Sequence, residues 1–261
     1  MGFLEFFGQF EFNLTLTLVK RRFINIQSDN PQLQDRRKER KTVHIPDGIL
    51  TLPYIILWFI IAGVFIIIGI QIIAKKRREN PSVMSILALM GAAVFIISVW
   101  HIPVAVAGSS GHPTGTGLAA IVIGPFATVV VTVIALFFQV FLGHGGITTL
   151  GANTVSMGVV GAFSGYGTYW VARKLHASYW LAAGLGGFVG DILTYATTAF
   201  QLAVNFNNQA SFILPIWTLY MAEFSVVQIP IAIIEFAFTA ITIQYIITHK
   251  PEILNWWHKS G

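Results

Sequence analysis

Residues 50–73 form a largely apolar run of 24 residues that stops at the charge cluster Lys75-Lys76-Arg77-Arg78. A helix rises about 1.5 Å per residue, so such a run can cross the ~30 Å hydrocarbon core of a bilayer with some tilt. Five further apolar blocks follow, at residues 82–107, 117–142, 154–172, 179–204 and 214–247. Only 10% of the 261 residues are charged and 55% are hydrophobic, whereas a soluble domain carries roughly 25% charge. The chain therefore reads as an integral membrane protein. Lipid offers no partner to an unpaired backbone amide, so each block must be helical. The expected fold is all-α: a polytopic helical protein of the cell membrane with six or seven transmembrane helices. The count turns on two blocks, because the last is 34 residues long and Gly124-Pro125 interrupts the third.

Positive charge orients such a chain, since Lys and Arg stay on the cytoplasmic side. With residues 75–78 inside, the start of the first run and the loop after the second both face outside. Arg173-Lys174 and the tail with Lys250 and Lys259 also favour the inside, yet six full spans would place both outside. One extra crossing in the region of the third or fourth block brings all three clusters to one side.

Residues 1–42 differ in character from the rest of the chain. They hold eight of the sixteen Lys and Arg and five of the eleven Asp and Glu. Their first part alternates apolar and polar residues and is too polar to span. It lacks the basic start, apolar stretch and small-residue cleavage site of a secretory signal. DRRKERK, residues 35–41, is a solvated charge run. The expected organisation is an N-terminal extension over 1–42 and a membrane-embedded domain over 43–261. The net charge of +5 is spread over loop anchors rather than a patch interleaved with aromatics, so nucleic acid is not an expected partner. The sequence has neither a G-x-x-x-x-G-K-[ST] phosphate loop nor an H-E-x-x-H zinc motif. It therefore reads as non-catalytic, neither an ATPase nor an intramembrane zinc protease.

Two loops carry histidine in short, distinctive strings. HIPDG begins at His44, just ahead of the first run, and GHPTGTG places His112 between the second and third. Both fall on the outer face in the orientation above. The chain has no cysteine, so a metal site here must use nitrogen or oxygen, which leaves nickel, cobalt, copper(II) or zinc at imidazole. The glycines around His112 permit close backbone approach and φ > 0 turns around a small ion.

HIPDGIL from His44, HPTGTGLAAIVIGP from His112 and HGGITTLGANT from His144 together resemble the metal-specific S component of energy-coupling factor transporters, the CbiM/NikM family for cobalt and nickel uptake. The likeness runs from residue 43 to about residue 247. It implies Co2+ or Ni2+ as transported cargo and no permanent cofactor. It also implies a ligand set: the amino nitrogen of the family's first residue, the backbone nitrogen and imidazole of the second, and the histidine of HPTGTG. These map onto Val43, His44 and His112. Such fused chelate rings make a square of four nitrogens, which suits Ni(II) and Cu(II), whereas Zn(II) prefers a tetrahedron and Mg2+ and Ca2+ want oxygen. The implied partners are a transmembrane coupling (T) protein, a pair of cytoplasmic ATP-binding subunits and often a small membrane accessory subunit, assembled at the lipid bilayer. In that family cobalt serves cobalamin biosynthesis and nickel serves urease or hydrogenase, and the four nitrogens do not tell the two ions apart.

The sequence departs from the family at one point. Val43 is internal and has no free amine. A GTG codon reads as Met at a start and as Val inside a frame, so a start at residue 43 is expected. A charge run beside the first span would also resist crossing the membrane. The alternatives are a cleaved leader and a real extension, the latter costing the site its amine.

Further candidates are Asp47, His144 and Asn153, which would orient the ligands. Asp47 alternatively caps a turn or helix, and His144 alternatively caps the third block or binds the ion in transit. His101 is expected to pack at the interface, and His176, His249 and His258 to lie in loops and the tail. Asp191, Glu223 and Glu235 lie in apolar runs, where carboxylates are costly. They are expected to pair with polar residues such as Asn153, Thr194, Gln228 or Gln244, or to be protonated, with a role in moving the metal as the alternative. Small residues recur in GAFSGYG (161–167), in AAGLGG (182–187) and at Ala88-x-x-x-Ala92. Such faces let helices approach closely, either within the bundle or, for Ala88 and Ala92, as a docking face for another subunit. Two rival functions remain at this level, a stand-alone secondary permease and a membrane metal sensor or binding module. N-terminal sequencing of the purified protein is expected to begin at residue 43; a chain beginning at Met1 overturns the proposed start.

Overall fold

Helix α1 (Leu52–Glu79) takes up the first apolar run. Pro53 sits in its first turn, where a missing N–H costs nothing, and Lys76, Arg77 and Arg78 lie in its last turn, where cations suit the helix dipole. Only 17% of its most apolar stretch is buried within the protein. Ile56, Ile60, Val64, Ile67 and Ile70 are each at least half exposed, a surface that only lipid can solvate. The computed structural model describes residues 44–100, 102–103, 110–206 and 213–258. Val43, His101 and Lys259 therefore lie outside the described residues.

Helix α2 (Val83–Val99) returns alongside. A two-residue antiparallel ladder follows, β1 (Ile102–Pro103) against β2 (Ser110–Gly111). The third apolar block does not form one helix. It is split into α3 (Thr116–Ile123) and α4 (Pro125–Phe141). Gly124 adopts φ +74, a left-handed value that favours glycine, and Pro125 opens α4 without an N–H to satisfy. Next, α5 (Leu150–Asn153) runs through a π-helical segment (Thr154–Gly161) into α6 (Ala162–Lys174). Helices α7 (Tyr179–Phe206), α8 (Ile213–His249) and α9 (Glu252–His258) complete the described chain.

The split at Gly124 resolves the topology. Short α3, entered through non-helical residues 112–115, runs from one end of the bundle toward the other, and α4 comes back. The described chain thus passes between the two ends seven times, along α1, α2, α3, α4, the α5–α6 rod, α7 and α8. At one end Gln139 bonds His44, Asn153 bonds Ile45 and Asn205 bonds Thr51. At the other, Lys76 Nζ donates to Trp257 O, and Trp257 lies against Gly124. The extra crossing falls in the third block, and it brings residues 75–78, Arg173-Lys174 and the tail to the same end.

Helix α3 is enclosed on all sides, with every residue from Thr116 to Ile123 buried. Its approach to α6 and α7 is backbone to backbone. A Cβ at Gly165 would meet Gly186 O at 2.9 Å and Gly117 Cα at 3.0 Å. The small-residue faces at 161–167 and 182–187 therefore meet each other and α3 inside the bundle. Ala88 and Ala92 are exposed instead and line an apolar groove of about 830 Å³ between α2 and α4. Gly165→Val is expected to destabilise the protein in detergent by about 1–3 kcal/mol through overpacking. Gly167→Val, where nothing lies within 4 Å, is expected to leave the thermal midpoint unchanged; equal midpoints for both variants would refute the close contact.

Candidate metal centre

Two segments meet at the end of the bundle opposite the basic clusters. The first is the lead-in to α1, residues 44–51. Its His44 is buried, and its Nε2 lies 2.8 Å from Gln139 Oε1 on α4. A carbonyl oxygen only accepts, so His44 carries its proton on Nε2 and its lone pair on Nδ1. Gln139 is fully buried, and its amide donates to Ser98 Oγ at 2.6 Å, which donates in turn to Val94 O. Asn153 holds the next residue from both sides, accepting from Ile45 N at 3.2 Å and donating to Ile45 O at 3.3 Å. Thr149 Oγ1 also donates to Ile45 O. Asp47 accepts from Ile147 N, Thr148 N and Thr148 Oγ1, tying the lead-in to the loop after α4. His144 lies in that loop, its N–H on Gln139 O, and its neighbour Gly145 comes against the His44 side chain.

The second segment is residues 112–115, between β2 and α3. His112 is buried, and its Nδ1 lies 2.9 Å from Pro113 O. By the same reasoning this ring carries its proton on Nδ1 and its lone pair on Nε2. The two rings stand 4.6 Å apart between centroids, at 81° to each other. Burial pushes the His44 imidazole down from 6.5 to about 4; the Gln139 bond opposes this and nearby His144 adds to it. At neutral pH its Nδ1 lone pair is therefore not blocked by a proton. Two imidazoles held in this way can share one borderline-soft cation when both are neutral, each ring being oriented through its other nitrogen.

Among the described residues, no cluster of three or more His, Cys, Asp or Glu side chains gathers here. The Val43 position lies outside the described residues. His176 takes a positive φ of 63° in the turn after α6, and His249 ends α8; both are at the basic end, away from His44 and His112.

The intramembrane carboxylates find partners that sequence reasoning only partly named. Asp191 Oδ2 accepts from Gln228 Nε2 at 2.5 Å, one of the pairings expected. Glu235, which also bonds Asp191, reaches the His112 loop. Its Oε2 accepts from Thr114 N at 2.7 Å, and its Oε1 from Gly115 N at 2.8 Å and Thr114 Oγ1 at 2.9 Å. Glu223 is only half-buried on α8. Gln139 and Tyr195 escaped the sequence reading, and Gln228 was expected only as a partner for a carboxylate, not for the His112 loop. The signal for Gln139 was a lone amide in the apolar string FFQVF, five residues before His144.

The profile of the family described as "Cobalt uptake substrate-specific transmembrane region" (CbiM) matches residues 44–253. The cobalt transport protein CbiM of Sorangium cellulosum is 39% identical over 82% of this chain and 95% of its own length. That of Moorella thermoacetica is 41% identical over 82% of both chains. Among solved structures, a truncated transition metal transporter superposes with a TM-score of 0.68 at 26% identity, covering 79% of this chain and 99% of that one. Gln139→Leu, which keeps the bulk but removes the carbonyl that fixes the His44 tautomer, is expected to weaken Co2+ binding about 10–100-fold by calorimetry; unchanged affinity would remove Gln139 from the site.

Proposed function

The chain belongs to the family of cobalt uptake substrate-specific transmembrane regions, and from that premise we propose that it is the substrate-capture (S) component of an ATP-driven energy-coupling factor importer. Its cargo is one Co2+ or Ni2+ ion taken from the outer face. His44 and His112 supply two imidazole nitrogens, Nδ1 of the first and Nε2 of the second. The backbone at Val43 and His44 supplies the rest of a square of four nitrogens, with a free amine at residue 43 when the chain begins there. Asp47, His144 and Asn153 serve as supports of the segments that carry these ligands.

One observation carries the reading: two buried imidazoles from segments 68 residues apart stand 4.6 Å from each other, each with its proton on the nitrogen turned toward a carbonyl. Buried polar groups of this kind in a lipid-facing bundle mark a ligand path or site. Absence of thiolates favours a cation at home with nitrogen, and affinity should fall in acid because every donor must be deprotonated.

In this reading a coupling (T) protein and a pair of cytoplasmic ATP-binding subunits, with a small accessory subunit where present, reorient the capture component and release the ion inward. The exposed Ala88/Ala92 groove is the docking face for the coupling protein. Its alanines leave room for a partner helix, and it lies apart from both histidines.

His112→Ala is expected to weaken Co2+ binding by about 100-fold or more, and near-unchanged affinity would count decisively against the site. Ala88→Leu/Ala92→Leu is expected to keep Co2+ binding but abolish uptake and co-purification with the coupling protein; normal uptake by the double variant would place the docking face elsewhere.

A further inference from the structure

Residues 112–115 are irregular, non-helical backbone inside a helical membrane bundle, so each of their amide hydrogens needs a partner from outside the segment. All of them find one on α7 or α8. His112 N donates to Tyr195 OH at 2.9 Å. Pro113 has no N–H. Thr114 N and Gly115 N both donate to the Glu235 carboxylate. The His112 carbonyl accepts from Gln228 Nε2 at 3.2 Å. The loop that presents His112 is thus shaped by side chains more than 80 residues away in sequence.

One peptide unit within this loop has both ends engaged. Its carbonyl, Pro113 O, receives the His112 ring proton from Nδ1. Its amide, Thr114 N, donates to Glu235 Oε2 at 2.7 Å. Glu235 therefore reaches the imidazole through a single peptide. A carboxylate on the N–H side polarises that peptide and makes its carbonyl a stronger acceptor. A stronger acceptor at Nδ1 holds the ring orientation and raises the donor strength of Nε2, as a carboxylate does when it touches a metal-binding histidine directly. Thr114 Oγ1 and Gly115 N hold the same carboxylate at the start of α3, where a negative group is favoured.

We infer that Glu235 is a positioning residue for metal capture, acting on the His112 ring through the Pro113–Thr114 peptide. This rests on His112 being a ligand, as proposed above. The relay requires a group that accepts two N–H bonds and one O–H bond at once. A neutral amide at position 235 cannot do so, because its NH2 would face a donor.

The test compares the full chain in detergent with Glu235→Gln, Glu235→Asp, Thr114→Val, His112→Ala and Thr239→Val. Thr239 is buried on the same helix, one turn beyond Glu235, and serves as a packing control. Co2+ is the probe, with affinity from calorimetry and ligand field from the visible absorption of the bound ion at saturation. Glu235→Gln should weaken binding about 10-fold or more and shift the Co2+ absorption bands. Glu235→Asp should recover part of both. Thr114→Val, which removes one donor to Glu235 and leaves the peptide in place, should move both in the same direction by less, and it decides the matter if Glu235→Gln does not fold. Thr239→Val should leave the spectrum as in the parent. Parent-like affinity and spectrum in Glu235→Gln, or in Thr114→Val where it stands in, would overturn the relay. So would a lowered thermal midpoint with an unshifted spectrum, which marks a merely structural role. If His112→Ala also binds like the parent, the fault lies in the ligand assignment, since the relay has then lost its endpoint.

Discussion

Irregular backbone buried in a membrane protein has to be given hydrogen-bond partners by its neighbours, and most of this structure is arranged around two stretches where that need arises. One is the lead-in from His44 to Thr51, the other the loop from His112 to Gly115. Gln139, Asn153, Thr149 and Asn205 serve the first. Tyr195, Gln228 and Glu235 serve the second. These side chains are spread over helices whose outer faces are largely apolar, so the polar residues of the spans are concentrated where irregular chain enters the bundle.

The two stretches share α7, whose Asn205 bonds the lead-in and whose Tyr195 bonds the His112 loop, but the two rings have different supports. His44 hangs from α2, α4 and α5, whereas His112 hangs from α7 and α8. An ion gripped by both rings would therefore bridge two groups of helices. Pro230 interrupts the hydrogen-bond ladder of α8 between Gln228 and Glu235, so the two points at which α8 touches the His112 loop lie on either side of a break. At its far end α8 leads into α9, whose Trp257 closes against Gly124 and Lys76. The same helix thus touches the outer loop and the basic end.

Much of this was legible beforehand because hydropathy and charge act locally. The apolar runs marked the spans, residues 75–78 oriented them, and the pairing of HIPDG with GHPTGTG singled out His44 and His112. The conflict over Arg173-Lys174 already pointed to one more crossing in the third or fourth block, and Gly124-Pro125 stands where that crossing turns back. Less could be read for residues whose role depends on a distant partner. Glu235 looked like a costly carboxylate in search of a polar neighbour, and nothing near it in sequence names residues 114 and 115. Asp47 was weighed against His44 and a turn, and its bonds to Ile147 and Thr148 tie it to the loop after α4. The glycine faces at 161–167 and 182–187 were expected to pack within the bundle, but only the structure showed that they meet each other and α3.

The amino-acid sequence by itself determined that this chain lives in lipid as helices, where its positive charges cluster, and that without cysteine any metal site in its loops would have to use nitrogen or oxygen. Those properties follow from side-chain chemistry and its spacing along one strand of chain. Tertiary structure alone decided that two imidazoles 68 residues apart would stand 4.6 Å from each other, which nitrogen of His44 would bear the proton, and which buried amides and carboxylates would hold the two segments. The reason is physical: the His44 tautomer and ring orientation are set by an acceptor within about 3 Å, and that neighbour, Gln139, is brought there by packing across helices, whereas His112 meets Pro113 O next along the chain.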